Sequence, residues 1–203
     1  MHYIIFDFDG TLADSWDATV KAHSEMTQRS YNETAEEMLN HRLIKPRYTK
    51  DRVYTQDETD ELMKFRQDEY ELKEKHELKL FKQFIQELHK LQNTKMAVVS
   101  TAYQPALDKF CTESGLSFTH VIGFGPNFSK EAKMEEIAED WKVDLKDIYF
   151  VTDTIRDVVE AKEFLDPSKI IGCAWGFHGG DRLLEVLPKE QILHNFEDIH
   201  KFF

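Results

Sequence analysis

The chain has 203 residues, of which 41% are hydrophobic, and a formal net charge of −12. This length and composition predict a globular protein with a sizeable core, built as one domain with an insertion or as two small domains. The negative charge disfavours nucleic acid as a stable partner, and it means that any anion site is made locally by a metal ion, a lysine or backbone N–H groups.

The N-terminal apolar run has no basic segment before it, and Asp7 and Asp9 interrupt it, so we expect no signal peptide. No later apolar run is long enough to cross a bilayer, and no membrane partner is expected. Cys111 and Cys173 lie far apart without a metal-binding spacing, which predicts two reduced, buried thiols. A cytoplasmic location follows as the prediction, while the oligomeric state is not indicated.

The first predicted element is a strand at residues 4–6, "IIF", which Asp7 and Asp9 follow directly. Side chains two positions apart point to the same side of a strand. Two carboxylates so close repel each other, and burial increases that cost. Either a positive group lies between them or one of them holds a proton.

Helical patterns dominate from about residue 14 to residue 91. Within residues 57–91, apolar side chains recur at mostly helical spacing among dense charges, most of which we expect on solvated faces. The stretch separates the first strand from the next one. We therefore interpret residues 15–80 as an inserted α-helical cap, and residues 1–14 and 81–203 as an α/β core.

From residue 95 onward, predicted strands alternate with predicted helices. The strands are residues 95–101, 118–125, 148–153 and 169–175; the helices are residues 104–115, 129–141, 155–164 and 181–187. This alternation predicts an α/β fold, a doubly wound parallel sheet with helices on both faces. Ligands of such sheets bind beyond the carboxyl ends of the strands.

Polar residues gather at those strand ends. They are Asp7, Asp9, Ser100, Thr101, Lys130, Asp153 and Asp157. Several carboxylates with room for water form a hard oxygen site, which favours Mg²⁺ over zinc. Asp153 and Asp157 are four residues apart, so they share one face if the helix there begins early.

Four of these segments resemble, in order, the motifs of the haloacid dehalogenase superfamily of phosphatases and phosphotransferases. They are "DFDGT" at 7–11, "VVST" at 98–101, "SK" at 129–130 and "TDTIRD" at 152–157. The resemblance extends from residue 4 to about residue 178. Within the superfamily, the chain is similar to phosphoglycolate phosphatase-like members. The predicted cap contains no recognisable specificity marker. One departure is Thr152, where a glycine is common before the acid.

The resemblance implies roles for the catalytic residues. Asp7 would attack phosphorus to form an aspartyl-phosphate, and Asp9 would protonate the leaving oxygen and later activate water. Ser100 and Lys130 would hold the phosphoryl oxygens. Thr101 competes with Ser100, and Lys133 competes with Lys130. We prefer Lys130 because a cation in the first turn of a helix opposes the helix dipole, which indicates an anionic partner.

The resemblance also implies a metal and a phosphate-binding turn. Mg²⁺ would be held by Asp7, by the backbone of Asp9 and by Asp153. Asp157 either belongs to this metal shell or is an acid favoured at a helix N-terminus. Gly10 would let the backbone turn close to the phosphate, with Thr11 beside it.

The cap contains one basic segment, residues 41–52, in an otherwise acidic protein. Arg42, Lys45, Arg47 or Lys50 could contact a distal anionic part of the substrate when the cap closes. The alternative is a solvated loop.

These observations predict a magnesium-dependent phosphatase that hydrolyses a small phosphorylated metabolite, with phosphoglycolate, sugar phosphates and nucleotides all open as substrates. The alternative within the superfamily is a phosphomutase. The alternative from another class is a non-catalytic phosphate- or partner-binding protein on the same fold.

Overall fold

A six-stranded parallel sheet forms the centre of the computed structural model, which describes residues 1–42, 50–125 and 129–203. The strands of the described residues are β1 His2–Phe6, β2 Ala13–Asp14, β3 Lys79–Leu80, β4 Thr94–Tyr103, β5 Phe118–Phe124, β6 Ile148–Thr152, β7 Ile170–Cys173 and β8 Ile192–Leu193. The sheet order is β5-β4-β1-β6-β7-β8, and every pairing in it is parallel. The predicted fold class is therefore confirmed.

Strand β1 lies in the middle of the sheet, between β4 and β6. Its residues Ile4, Ile5 and Phe6 are fully buried, because alternate side chains enter the two opposite cores. A strand covered on both faces has no polar side, which is why its sequence is a continuous apolar run.

Helices cover both faces of the sheet. Those described are α1 Trp16–Thr27, α2 Tyr31–Glu37, α3 Gln56–Lys75, α4 Lys82–Leu88, α5 Gln104–Ser114, α6 Lys130–Trp141, α7 Ile155–Ala161 and α8 Gly179–Leu183. Phe84 of α4 and Leu107 of α5 pack on one face. Met134 of α6, Val158 of α7 and Leu183 of α8 pack on the other.

The chain leaves the core through β2 and returns through β3, and these two strands pair antiparallel. Helices α1, α2 and α3 lie between them in the sequence, and α1 packs against both of the others. Thr55 caps α3 in a box with Glu58, which sets where this long helix begins. The boundaries of the cap at residues 15 and 80 stay a prediction.

Several elements differ from the sequence prediction. The helical stretch is interrupted after His76, where Glu77 adopts a left-handed φ of 61° and β3 follows. Ser100 and Thr101 lie inside β4, which extends to Tyr103 with an irregular register after Val99. Helix α7 ends at Ala161, before the predicted end at residue 164. Tight turns lead from there to Pro167, and a proline disfavours helical backbone at the residue before it.

Cys111 and Cys173 are free and buried, as predicted. In the described ranges, no helix combines the length and the apolar character that a membrane span requires.

Candidate active site

The predicted site residues come together at the carboxyl edge of the sheet. Asp7 follows β1, Asp153 follows β6, Ser100 lies near the end of β4, and Lys130 is the first residue of α6. Because β1 lies between β4 and β6, these strand ends are neighbours. This is the edge at which open parallel sheets bind their ligands.

Lys130 joins two of the carboxylates. Its Nζ lies 3.0 Å from Oδ2 of Asp7 and donates to Oδ2 of Asp157 at 2.7 Å. The hydroxyl of Thr152 donates to the same Asp157 oxygen at 2.9 Å. Lys130 thus has the anionic partners that its place in a first helical turn indicated, and Thr152, the departure from the family pattern, helps to hold Asp157.

Asp7, Asp157 and Lys130 differ in how far, and in which direction, their pKa values are shifted. Burial, assisted by the Asp157 charge, raises the pKa of Asp7 to about 7 although Lys130 opposes the rise. Burial also opposes ionisation of Asp157, yet the adjacent Lys130 holds the pKa of this carboxyl below its usual range. The pKa of Lys130 is raised by the two carboxylates against the cost of burial. We therefore assign the charge pair to Lys130 and Asp157.

Asp153 is fully buried in a pocket of backbone. The N–H of Phe177 donates to its Oδ2 at 2.7 Å, and the Thr11 hydroxyl lies 3.4 Å from its Oδ1. A Cβ added at Gly10 or at Gly176 would stand 2.0 or 2.6 Å from that Oδ2, so both positions require glycine. Gly10 also has a φ of 76°. Gly10 and Thr11 thus contact Asp153; their predicted binding of substrate stays a prediction.

The donor set fits a small divalent cation. Burial and the Asp7 charge raise the pKa of Asp153 well above its usual value, and within the described part of the chain its side chain receives only neutral donors. A second positive group here would stabilise the ionised forms of both Asp7 and Asp153. The expected ligands are two side chains and one backbone carbonyl. No three His, Cys, Asp or Glu side chains of the described residues form a group that could hold a metal ion, and these ligands stay a prediction.

Asp157 was also placed in the predicted metal shell. Its Oδ2 accepts from Lys130 and from Thr152, and its N–H donates to Thr154, the N-cap of α7. Asp153 precedes that helix and Asp157 lies in its first turn, so the two do not share a helix face. The contacts favour the interpretation that Asp157 acts through Lys130.

Ser100 and Thr101 both line a cavity of about 70 Å³ above Asp7. The Ser100 hydroxyl accepts from the N–H of Ala102 at 3.1 Å. Lys133, the rival of Lys130, lies elsewhere: its buried Nζ donates to the Ser100 carbonyl at 2.9 Å, and burial together with the Lys130 charge lowers its pKa to about 7. Lys130 lines the cavity and contacts Asp7, so the structure distinguishes the two lysines by position.

Helices α1 and α3 contribute polar side chains that the sequence analysis did not single out. His23 and Arg66 line the cavity, and both lie 2.7 Å from Glu69. Although burial opposes it, the Arg66 charge and the hydrogen bond with His23 hold the pKa of Glu69 well below its usual range. On α3, Arg66, Glu69 and Lys73 are buried, against the expectation that such charges are mostly solvated. The sequence contains one indication that a charged side chain of α3 is buried: Glu69 occupies a position in the repeat of apolar residues.

Asp9 lines the same cavity and is contacted from the cap. Lys73 donates to its Oδ1 at 2.6 Å. Arg156 also lines the cavity. It lies inside the TDTIRD segment, but no role was predicted for it from the sequence.

Most of the basic segment lies outside the described residues, including Lys45, Arg47 and the side chain of Arg42. Lys50 is described. Its Nζ lies 2.9 Å from Glu131 and 2.8 Å from Glu135, both on α6. Lys50 therefore joins cap to core, and contact of this segment with substrate stays a prediction.

Comparison with known proteins adds a family. The family model of haloacid dehalogenase-like hydrolases matches residues 4–164. Among solved structures, the fold is similar to a haloacid dehalogenase-like hydrolase from Streptococcus pneumoniae, with a TM-score of 0.70, 18% identity, and 100% and 98% of the two chains covered. It is also similar to a predicted phosphoglycolate phosphatase from Haemophilus somnus, with a TM-score of 0.67, 19% identity, and 99% and 97% covered.

No curated protein matches this sequence. Identities this low establish the likeness of fold, while the family model spans most of the chain and includes Asp7, Lys130 and Asp153. The chain therefore belongs to the haloacid dehalogenase-like hydrolase family.

Proposed function

We propose that this chain is a magnesium-dependent phosphatase that hydrolyses a small phosphomonoester through an aspartyl-phosphate on Asp7. The observation that carries the proposal is the juxtaposition of two buried carboxylates, Asp7 and Asp153, with the ammonium of Lys130 3.0 Å from Asp7. A carboxylate at the end of a central strand, in contact with a cation that can neutralise phosphoryl oxygens, suits a nucleophile for phosphorus.

In the first step, an Asp7 oxygen bonds to phosphorus while the bond from phosphorus to the ester oxygen breaks. Asp9 gives its proton to that leaving oxygen, and Lys130 and the Ser100 hydroxyl neutralise charge on the phosphoryl oxygens. In the second step, water loses a proton to Asp9 as it bonds to phosphorus. The bond from phosphorus to Asp7 breaks, and inorganic phosphate leaves.

Asp7, Asp153 and the backbone carbonyl of Asp9 would hold Mg²⁺. The bound ion supplies positive charge that neutralises the phosphoryl oxygens. Asp157 keeps Lys130 charged and in place through the 2.7 Å contact. The small cavity supports a metabolite rather than a macromolecule as substrate. The two free thiols support the predicted cytoplasmic location.

Acetyl phosphate and p-nitrophenyl phosphate, assayed with Mg²⁺ and then with chelator, test the proposal. We expect turnover that chelator abolishes and Mg²⁺ restores, and a melting temperature that Mg²⁺ raises in the wild type but not in Asp153→Asn. Release of inorganic phosphate identifies a hydrolase, whereas an isomerised sugar phosphate identifies a mutase. A folded protein with no turnover of any ester would support the non-catalytic alternative.

Asp7→Asn is the decisive variant. It should lower kcat by at least about 10³-fold while the protein stays folded, because an amide is a far poorer nucleophile than a carboxylate. Asp14→Asn is the matched control, since Asp14 is an exposed carboxylate of β2, just before the cap. Substantial turnover by purified Asp7→Asn would refute the assignment.

A further inference from the structure

The carboxylates of the site have contacts from two parts of the chain, the core and the predicted cap. Asp7 is contacted by the N–H of Phe8 and by Lys130, Asp153 by Phe177 and Thr11, and Asp157 by Lys130 and Thr152, all of them parts of the core. Asp9 differs. Its one described side-chain contact comes from Lys73, near the end of α3 in the predicted cap.

The contact is close and well shielded. Lys73 Nζ donates to Asp9 Oδ1 at 2.6 Å, and the Lys73 side chain is 7% exposed, whereas that of Asp9 is 24% exposed and borders the cavity. A partly exposed aspartate at a turn has several rotamers available. A buried donor on one oxygen selects one of them and leaves the other oxygen, Oδ2, without that contact.

Lys73 is itself anchored within the cap. It lies one helical turn after Glu69, whose charge interacts with that of Lys73. Glu69 in turn is bound by Arg66 and His23 at 2.7 Å each. A buried ionic network of α1 and α3 therefore ends at the oxygen of Asp9.

We propose that Lys73 is a positioning residue: it orients Asp9 for proton transfer only when the cap is seated on the core. The proposal rests on the proposed function, because it requires Asp9 to protonate the leaving oxygen. Lys73 takes no part in the transfer itself. The proton of Asp9 passes to the ester oxygen as the bond from that oxygen to phosphorus breaks and the Asp7 oxygen bonds to phosphorus. Seating of the cap would thereby couple the exclusion of bulk water to the placement of the acid.

Two small substrates with different leaving groups test this: acetyl phosphate, a mixed anhydride, and ethyl phosphate, an ester. Acetyl phosphate releases acetate, which needs no proton to leave, whereas ethyl phosphate releases an alkoxide that does. The parameter to compare is kcat/KM, which reports the steps up to transfer of the phosphoryl group to Asp7. In Lys73→Met we expect a loss of about 10²-fold for ethyl phosphate and of less than about 5-fold for acetyl phosphate.

Lys109→Met is the matched control. Lys109 on α5 forms an ion pair with Glu74 on α3, so its loss removes a contact between core and cap without touching Asp9. Lys109→Met should change kcat/KM for acetyl phosphate and for ethyl phosphate by the same factor. Lys73→Arg should restore part of the ethyl phosphate activity, since a guanidinium can still donate to Oδ1.

The outcomes separate the two proposals. A wild type that hydrolyses neither acetyl phosphate nor ethyl phosphate with Mg²⁺ refutes the proposed function. A wild type that hydrolyses both, with equal losses in Lys73→Met, refutes the positioning role alone. If Lys73→Met does not fold, Lys73→Gln is tested in the same way, and failure of both to fold makes the contact structural and overturns the proposal.

A crystal structure of the variant gives a readout independent of ethyl phosphate turnover. We expect the Asp9 carboxylate in more than one rotamer. A single unchanged rotamer would overturn the proposal.

Discussion

Three aspartates of the site have the same side chain and different charge states, because each has different partners. Asp157 has Lys130 at 2.7 Å and is held ionised. Asp153 has neutral donors and a raised pKa. Asp7 shares Lys130 and lies between these extremes, with a pKa of about 7. A cation bound between Asp7 and Asp153 would convert both to carboxylates, which is the state a nucleophile needs.

Gly176 gives a prediction at the residue scale. A Cβ there would lie 2.2 Å from Cβ of Asp153 and 2.6 Å from the Gly10 carbonyl, so Gly176→Ala has to displace Asp153 or the loop. We expect kcat for acetyl phosphate to fall about 10²-fold and the free energy of unfolding to fall by about 1–3 kcal/mol, measured in urea. In Gly125→Ala, the control, the added Cβ meets no described atom within 4 Å. Wild-type kcat and stability in Gly176→Ala would contradict this.

At the scale of elements, the site depends on where two helices begin. Lys130 opens α6, where the helix dipole disfavours a cation, and the carboxylates of Asp7 and Asp157 offset that penalty. Helix α7 begins at Ile155 with Thr154 as its N-cap, and this start places Asp157 beneath Lys130. A shift of either start by one residue would rotate its charge by about 100°.

His178 fixes the start of α7 and predicts a pH dependence. Its Nδ1 accepts from the N–H of Ile155 at 2.8 Å, which requires the neutral ring, and burial lowers the pKa of His178 to about 4. The unfolded chain takes up the proton first as pH falls, so the stabilisation is complete above about pH 6.5 and is lost between there and about pH 4. Between about pH 6.5 and about pH 5 the loss amounts to about 2 kcal/mol.

Urea unfolding at these two pH values checks the prediction. His178→Asn keeps an acceptor for Ile155 but does not titrate, so its stability should depend less on pH than that of the wild type. Equal pH dependence in the two proteins would contradict the assignment.

At the scale of the whole molecule, the described contacts between cap and core include ion pairs and a ring contact beside apolar packing of Leu62 and Met63 on Phe124. Lys73 contacts Asp9, Lys109 contacts Glu74, and Trp16 of α1 packs edge-on against Phe177 with ring centroids 5.0 Å apart. Lys50 of the cap bridges to two glutamates of α6. Among these described contacts, the ion pairs of Lys109 and Lys50 are partly exposed, which suits a cap that opens and closes.

Lys50→Glu should shift that equilibrium. It places a third acid beside Glu131 and Glu135, so repulsion favours the open state. We expect a larger radius of gyration in X-ray solution scattering. We also expect KM for acetyl phosphate to rise roughly 2- to 5-fold, because a smaller fraction of molecules has the cap seated.

Lys21→Glu is the control, since Lys21 pairs with Asp17 inside α1 and an equal change of charge there leaves the seat of the cap alone. An unchanged radius and KM in Lys50→Glu, or the same change in both variants, would contradict the prediction.

The order of motifs along the chain was enough to predict the sheet, its parallel pairing and the residues at its carboxyl edge. These features follow from local rules: a strand buried on both faces is a continuous apolar run, and parallel strands place their ends together. The predicted place of Lys130 in a first helical turn and the preference for it over Lys133 were also local arguments. The structure confirms the place and puts Lys130 against Asp7.

The sequence by itself therefore determined the fold class, the family motifs and the core half of the candidate site. Only the tertiary structure decided which charges of the cap face Asp7 and Asp9, because charged residues are dense on α3 and helical periodicity does not show which of them turn inward. Lys73 meets Asp9 across 64 positions of sequence, a contact that exists only once α3 lies on the core. The contact of Asp157 with Lys130 was likewise decided by packing, since the sequence alone does not show which cation lies within reach of that carboxylate.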